Sequence, residues 1–331
     1  MAKSTRLVKS FYRLLFPVVI LIVLAVGAGS VWFAHESSHP GSAAYLVTPD
    51  KYGQLSARGA QVTEETWMNR DGTQARGWLL RGADNSPAVI LLHKYGADRS
   101  HVLNLGVKLN EATNFTVLMP DQRGHGQNPA VAYTSFGGCE STDANAAIEF
   151  LRVQKAASQA TLVGKEIGIY GLEMGSLAAL SAASKDEAVK AVVLDSVPQD
   201  SDSLVASVID KRFPFVSSVT SKLGQWGAYP YFYEGCYSRV PVCDTAKTMN
   251  NRKAMLLAGL DAPDFQESTS KLGKCFPSST HAESLTALSP SGFSIINASM
   301  QQSEAYDQRV IDFFRQSLGE QPMIASETSP N

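Results

Sequence analysis

Residues 171–175, Gly-Leu-Glu-Met-Gly, have the spacing of a nucleophile elbow, with Glu173 where a Gly-x-Ser-x-Gly motif has its serine. The apolar run 167–170 before them is typical of a buried strand, and residues 176–184 after them are typical of a helix. A strand, a tight glycine turn and a helix are the context in which an elbow presents its central side chain. Glutamate has no hydroxyl proton to transfer and brings its own negative charge. The sequence therefore predicts a nucleophile position with altered chemistry.

The regions on both sides of this pentapeptide alternate between strand and helix patterns. Apolar runs predict strands at 61–68, 74–81, 88–92, 115–119, 166–170, 190–194 and 254–258, and helical spacing predicts helices at 102–109, 138–153 and 305–318. Because strands that alternate with helices form parallel sheets, we predict an α/β fold with a mostly parallel sheet and helices on both faces.

Residues 198–253 interrupt this alternation. The segment is rich in serine and in aromatic residues, which are Phe213, Phe215, Trp226, Tyr229, Tyr231, Phe232 and Tyr233. Large aromatic side chains need burial or a ligand. We therefore predict a cap, inserted between two strands, that covers the site. A long crossover with surface helices is the alternative.

The N-terminal segment predicts a membrane anchor. Residues 1–13 carry four basic side chains and no acidic one, and the apolar stretch 14–34 is long enough to cross a bilayer. Because basic flanks stay in the cytoplasm, everything after Ala34 is predicted to be extracytoplasmic. Residues 26–28, Val-Gly-Ala, resemble a cleavage site, so a removed signal peptide is the alternative.

Three further segments follow this apolar stretch. Residues 35–60 are predicted to form a polar connector with Pro40, Gly41 and Pro49, and residues 61–318 form the main domain. The polar residues 319–331 are predicted to be a disordered tail.

The composition limits the partners and the compartment. A net charge of -2, with no basic run outside the N-terminus, argues against binding to nucleic acid. No histidine or cysteine pair has zinc spacing, so we predict neither a metal nor a cofactor.

In an oxidising compartment, Cys236 and Cys243 could form one disulfide, and Cys139 and Cys275 a second. Four reduced thiols are the alternative.

Several motifs together resemble the α/β-hydrolase family over residues 60–318. Residues 93–96, His-Lys-Tyr-Gly, resemble the family's His-Gly turn, and residues 121–126, Asp-Gln-Arg-Gly-His-Gly, resemble its Asp-x-Arg-Gly-His-Gly loop. Residues 136–143 resemble the segment that begins the helix after this loop in one bacterial branch of the family. Residues 281–284 and 306–314 resemble the histidine loop and the final helix of the same branch. The resemblance implies an α/β-hydrolase fold, here preceded by one transmembrane helix.

The resemblance also implies roles for single residues. In this family a serine attacks, a histidine moves protons and an acid orients the histidine. Glu173 occupies the serine position and His281 matches the histidine. The acid is expected just after the strand 254–258, where Asp261 is preferred and Asp264 is the alternative. Asp195, at the end of another strand, is a third candidate.

Backbone N–H groups hold the oxyanion in this family. By resemblance, this oxyanion turn consists of Lys94 and Tyr95 in the His-Gly turn and Met174 after the elbow. Lys94 departs from the small residue that the family has there. Ser176 is the nearest hydroxyl to the elbow, and Cys139 at a helix start is a candidate reactive thiol.

Three hypotheses for function follow. The first is a membrane-anchored α/β-hydrolase relative with impaired or absent serine hydrolase activity, which binds a small molecule or a protein partner through the former cleft. The second is an active ester, epoxide or halide hydrolase that uses Glu173 as a carboxylate nucleophile and His281 as base. The third is a purely structural domain. Because an unpaired buried carboxylate is unfavourable, we expect Glu173 to be ion-paired with Lys94, with protonated His281, or with both.

Overall fold

The computed structural model of this protein describes residues 2–41, 44–53, 60–127, 129–214, 217–233 and 235–319. Its eight strands are β1 Val62–Met68, β2 Gln74–Leu80, β3 Ser86–Leu92, β4 Thr116–Pro120, β5 Val163–Leu172, β6 Val189–Asp195, β7 Lys253–Gly259 and β8 His281–Leu288. Its helices are α1 Ala2–Ser38, α2 Pro49–Gly53, α3 Leu103–Thr113, α4 Gly138–Val153, α5 Met174–Lys185, α6 Ser201–Arg212, α7 Ser217–Tyr231, α8 Val242–Ala246, α9 Pro263–Leu272 and α10 Met300–Leu318.

All eight strands form one sheet in the order β1-β2-β4-β3-β5-β6-β7-β8. The pairs from β4 to β8 are parallel, and only the β1–β2 and β2–β4 pairs are antiparallel. Apolar side chains cover both faces, with α4 and α5 on one face and α3 and α10 on the other. The predicted mostly parallel sheet is confirmed. The carboxyl ends of β3, β5, β6, β7 and β8 therefore meet at one edge, where the loops that follow them can form a site.

Helix α1 is longer than the predicted span 14–34, because it continues without a break to Ser38. Its segment Leu15–Ser38 contains an 18-residue window with a mean hydropathy of 2.4 and is long and apolar enough to cross a membrane, by length and composition. The last turns are not a free connector. Ser30, Ala34 and Ser37 are buried against the domain, and the Tyr95 hydroxyl donates a hydrogen bond to the Ser37 carbonyl oxygen at 2.7 Å.

Helices α6, α7 and α8 fill the segment between β6 and β7 in which the sequence predicts a cap. The end of α6 reaches the carboxyl edge of the sheet, but α7 packs against α1. The expected burial of the aromatic side chains is wrong for three of them. Trp226, Tyr229 and the following Tyr233 are 64%, 60% and 78% exposed.

The four cysteines form two disulfides, but in a pairing that differs from the predicted one. Cys139 is bonded to Cys236, and Cys243 to Cys275. The first bridge ties the start of α4 to the segment after α7, and the second ties α8 to the end of α9. The close spacing of Cys236 and Cys243 in the sequence does not predict their pairing, because Cys236 lies beside the start of α4 and Cys243 lies beside the end of α9. Cys139 is therefore not a free thiol. The predicted tail lies, from residue 320 onward, outside the described residues.

We predict that both disulfides form in protein purified from its native membrane with free thiols blocked. Trypsin cleaves after Arg239 and so separates Cys236 from Cys243. Non-reducing peptide mapping should therefore yield Cys139–Cys236 and Cys243–Cys275 linked peptides. Replacing either pair by serines should lower the free energy of unfolding by roughly 3–5 kcal/mol, because each bridge closes a long loop. Linked peptides that join Cys236 to Cys243 would contradict this pairing.

Candidate active site

Glu173 lies on a sharp turn between β5 and α5, at the carboxyl edge of the sheet. Its backbone has φ 51° and ψ -106°, which is a strained conformation for a residue with a side chain. The flanking glycines allow the turn. A Cβ at Gly171 would overlap the Gly175 carbonyl oxygen, and a Cβ at Gly175 would overlap the Leu92 carbonyl oxygen. The Gly-x-x-x-Gly spacing therefore makes an elbow, with Glu173 at its apex.

The carboxylate of Glu173 is held by backbone donors. The Tyr95 N–H donates a hydrogen bond to Glu173 Oε2 at 2.9 Å, and the Met174 N–H is a second donor. Two backbone N–H groups, one after β3 and one after the elbow, are the arrangement that stabilises an oxyanion in acyl transfer. The resemblance assigned Tyr95 and Met174 to this role. Here the carboxylate at the apex occupies the donors that the resemblance assigns to an oxyanion.

The charges around Glu173 only partly compensate its burial. The side chain is 3% exposed, and this desolvation raises its pKa to about 7. Lys211 of α6, with Nζ 4.0 Å from Glu173 Oε1, and Lys94 both act in the opposite direction. Lys94 makes no direct ion pair with Glu173, because its Nζ donates to the Phe293 carbonyl oxygen at 2.6 Å and lies 4.1 Å from the Phe293 ring centre. The cation in contact is Lys211, which the sequence did not indicate.

His281 does not lie at the site. It is the first residue of β8 and is paired with Lys253, the first residue of β7, at the amino edge of the parallel strands. Its side chain is exposed. At about 3.3 Å per residue, the strand carries it roughly 23 Å from the edge where Glu173 lies. The predicted pairing of His281 with Glu173 is therefore wrong, and so is its predicted proximity to the elbow.

Phe293 lies beside the two lysines that surround Glu173. It follows β8 at the carboxyl edge, and its ring centre lies 4.8 Å from Nζ of Lys211, the same atom that faces Glu173. Sequence reasoning missed this residue because it read the residues after His281 as a loop. Residues 281–288 form strand β8, and this strand brings Ser-Gly-Phe, residues 291–293, to the site.

The candidate acids bind the backbone of this same loop. Asp261 accepts hydrogen bonds from the Ser291 N–H at 3.0 Å and the Ser294 N–H at 3.1 Å. Asp195 accepts from the Gly292 N–H at 2.8 Å and from the Tyr306 hydroxyl at 2.6 Å, and burial raises its pKa to about 6. Both carboxylates lie where they could orient a side chain of the loop, but here they hold its main chain.

The remaining candidates have structural partners. Asp264 accepts a hydrogen bond from the Ser207 hydroxyl of α6 at 3.2 Å. Ser176 is buried, and its hydroxyl donates to the Glu173 carbonyl oxygen at 2.5 Å, within the first turn of α5. Neither residue can act as a nucleophile or as an orienting acid from its present position.

Two buried histidines support the oxyanion turn. His93 Nε2 accepts a hydrogen bond from the Gln122 N–H, and His125 Nε2 accepts one from the Gly96 N–H. Burial lowers the pKa of His93 to about 4 and that of His125 to about 3, so both are neutral at physiological pH. The chain's six histidines all fall within the described ranges, and none of them makes a hydrogen bond or ion pair with Glu173 there. Among the described residues, therefore, no histidine is placed to exchange a proton with Glu173.

A small cleft opens above the elbow. Its volume is about 310 Å³, and it is lined by Pro40, Gly41, Tyr95, Gly96, Val208, Lys211 and Arg212. Arg212 is paired with Glu36 of α1 at 2.8 Å. In the part of the chain that the structure describes, no group of three or more His, Cys, Asp or Glu side chains could hold a metal ion. The cleft therefore offers cations, and not a metal site, to a bound group.

We predict that Glu173→Gln makes the protein less sensitive to pH between 4.5 and 7. The pKa of Glu173 is about 7 in the folded chain, against an ordinary value of 4.5 in the unfolded chain. As the pH rises through this window, the unfolded chain loses the proton first, so the free energy of unfolding of the wild type falls. The loss should be about 3 kcal/mol, complete above pH 7. Denaturant unfolding at several pH values checks this. The exposed Glu187→Gln serves as control, and equal pH profiles for the two variants would contradict it.

Comparison with known proteins places this geometry in a family. Residues 87–267, more than half of the chain, match the sequence model described as alpha/beta hydrolase fold. The thiohydrolase aneE of Aspergillus aculeatus is 24% identical over 132 residues, which are 40% of this chain and 40% of that protein. The match thus spans less than half the length of this relative.

Solved structures agree on the fold. An esterase from Pyrococcus furiosus superposes with a TM-score of 0.62 at 19% identity, over 85% of this chain and 100% of the esterase. A dienelactone hydrolase from Anabaena variabilis superposes with a TM-score of 0.53 at 14% identity, over 78% of this chain and 99% of that enzyme. Sheet order, elbow and family match agree, and the chain belongs to the α/β-hydrolase fold family.

Proposed function

We propose that this protein is a membrane-anchored, extracytoplasmic member of its family that binds a ligand in the former active-site cleft and lacks serine hydrolase activity. The carboxylate of Glu173 in the oxyanion hole carries this proposal. The Tyr95 and Met174 N–H groups are occupied, so they cannot donate to a substrate carbonyl oxygen and stabilise its developing negative charge. The elbow also offers no hydroxyl to attack the carbonyl carbon. The hydrolases named above are below 25% identity to this chain, so they support a shared fold and not a shared reaction.

The alternative, an active hydrolase with Glu173 as carboxylate nucleophile, has less support. Such a mechanism forms an ester that activated water must then cleave. The position from which a base could activate that water carries Phe293, and His281 lies at the opposite edge of the sheet. The carboxylate is also directed at the Tyr95 and Met174 N–H groups instead of into the cleft.

The cleft favours a ligand with an anionic group. Lys211 faces both the cleft and Glu173, and its side chain is 51% exposed, so a carboxylate or phosphate can reach it from solvent. Because the pKa of Glu173 is raised to about 7, a second anion near Lys211 can be accommodated by protonation of Glu173. The ligand is therefore a small molecule, or a segment of a partner protein, that presents one anionic group.

The membrane assignment rests on α1 and the disulfides. The basic residues precede the apolar segment, which favours a cytoplasmic N-terminus and an extracytoplasmic domain. The two disulfides are typical of an oxidising compartment. The peptide mapping proposed above therefore also tests this location, since reduced cysteines in native membranes would argue against it.

We predict that wild type does not turn over a short-chain nitrophenyl ester and that Glu173→Ser alone restores little activity, because no base faces the new hydroxyl. Glu173→Ser combined with Phe293→His supplies both groups. Its turnover should exceed that of the matched control, Glu173→Ala with Phe293→His, by at least tenfold. Wild-type turnover of the ester or of an epoxide that is lost in Glu173→Gln would instead support the carboxylate nucleophile.

Ligand binding has a separate test. Butyrate should bind wild type more tightly than butanol does, because only butyrate can pair with Lys211. Lys211→Met should weaken butyrate binding severalfold, whereas Lys247→Met, which changes an exposed lysine just after α8, should have no effect. Saturation-transfer NMR measures both. Equal binding of butyrate and butanol, or no effect of Lys211→Met, would argue against an anionic ligand.

A further inference from the structure

Helix α7 presents one exposed aromatic face on the side away from the domain. Its exposed large side chains are Val219, Trp226 and Tyr229, with Tyr233 just beyond its end, and they are 60–78% exposed. At 100° per residue Val219, Trp226 and Tyr229 fall within one narrow stripe of the helix surface, and Tyr233 lies in the turn that follows the helix. Lys222 lies in the same stripe and is exposed. This is a surface of Trp, Tyr and Lys, the residue types that accumulate where membrane meets water.

The opposite face of α7 is built for close contact with α1. Gly224, Gly227 and Ala228 are buried, and a Cβ at Gly227 would overlap the Ser30 carbonyl oxygen of α1. The two backbones therefore touch at Ser30. Phe213, at the end of α6, adds contacts between its ring and those of Trp32 and Phe33. The position of α7 along α1 is fixed by this packing.

The position of Ser30 relative to the bilayer follows from the sequence of α1. Residues 14–34 have no ionisable side chain and, as a helix, are about 31 Å long, which matches the hydrocarbon thickness of a bilayer. The polar boundary then lies at His35. Ser30 is five residues earlier, roughly 7 Å below that boundary. An amphipathic helix in a membrane surface is buried to a similar depth, roughly 5–10 Å.

We propose that the exposed face of α7, formed by Val219, Trp226, Tyr229 and Tyr233, is embedded in the outer surface of the phospholipid bilayer beside α1. This proposal rests on the membrane anchoring under Proposed function. The aromatic rings lie at the level of the acyl-chain ends nearest the headgroups, and Lys222 extends its ammonium group to the phosphates. Arg239, whose guanidinium carbon lies 5.2 Å from the Tyr229 ring centre, adds a second cation on this side.

The embedded face sets the orientation of the whole domain. A single membrane helix would let the domain rotate about the axis of that helix. An adjacent surface embedded in the bilayer also prevents this rotation. The cleft above the elbow is lined by Pro40 and Gly41, which lie two and three residues after the end of α1. It therefore opens next to the membrane surface.

Tryptophan quenching by brominated lipids tests this with the full-length chain in phosphatidylcholine–phosphatidylglycerol vesicles. Of the chain's four tryptophans, Trp67 and Trp78 are buried in the domain, so Trp32→Phe leaves Trp226 as the exposed one. We expect its emission to be quenched, and more strongly by bromine at acyl carbons 6 and 7 than at 11 and 12. The doubly substituted Trp32→Phe, Trp226→Phe variant should show no such quenching.

The Trp226→Phe variant, which reports on Trp32 of α1, separates the two levels of the proposal. Quenching of Trp32 without quenching of Trp226 would overturn the embedded face and leave the anchor intact. Quenching of neither would show that α1 is not inserted, and would overturn both. If Trp226 is not quenched and a Trp226→Cys variant forms disulfide-linked dimers, the face binds a second copy of the chain instead of lipid.

Discussion

A buried carboxylate in a site made for a transient negative charge is the constraint on which the rest of this site depends. The Tyr95 and Met174 N–H groups would stabilise an oxyanion only during a reaction, but here they bind Glu173 permanently. Two lysines are nearby, yet desolvation outweighs them, since the pKa of Glu173 is raised and not lowered. The backbone donors at this edge of the sheet are therefore occupied by a side chain of the protein itself.

Neighbouring polar groups are arranged around this substitution. Asp195 and Asp261, which could orient a histidine, instead hold the main chain of the loop that carries Phe293. Lys94 is drawn to the same loop by the Phe293 carbonyl oxygen and ring. Each group has a partner, so the site is a stable arrangement and not a hydrolase site with one missing atom.

The sheet and the elbow could be predicted from the sequence, whereas contacts between residues that are distant in the sequence could not. The elbow was predictable because Gly171 and Gly175 are required by local backbone contacts, and the sheet because each strand is a short apolar run. His281 was misplaced because the polar, half-exposed residues of β8 resemble a loop, and the error moved the site's last segment by a whole strand. The disulfide pairing and the contact of Lys211 with Glu173 depend on how the inserted helices fold back, and no local pattern encodes that.

Tyr95 links two regions that would otherwise be separate. Its backbone N–H binds the Glu173 carboxylate, and its hydroxyl binds the Ser37 carbonyl oxygen in the last turn of α1. A soluble fragment that starts beyond residue 38 would lose this acceptor, together with the Glu36 partner of Arg212 beside the cleft. Such a fragment would then lack two contacts of α1 with the residues that line the cleft. For this protein the end of the apolar helix is a component of the site, and the boundary of a functional fragment lies before it.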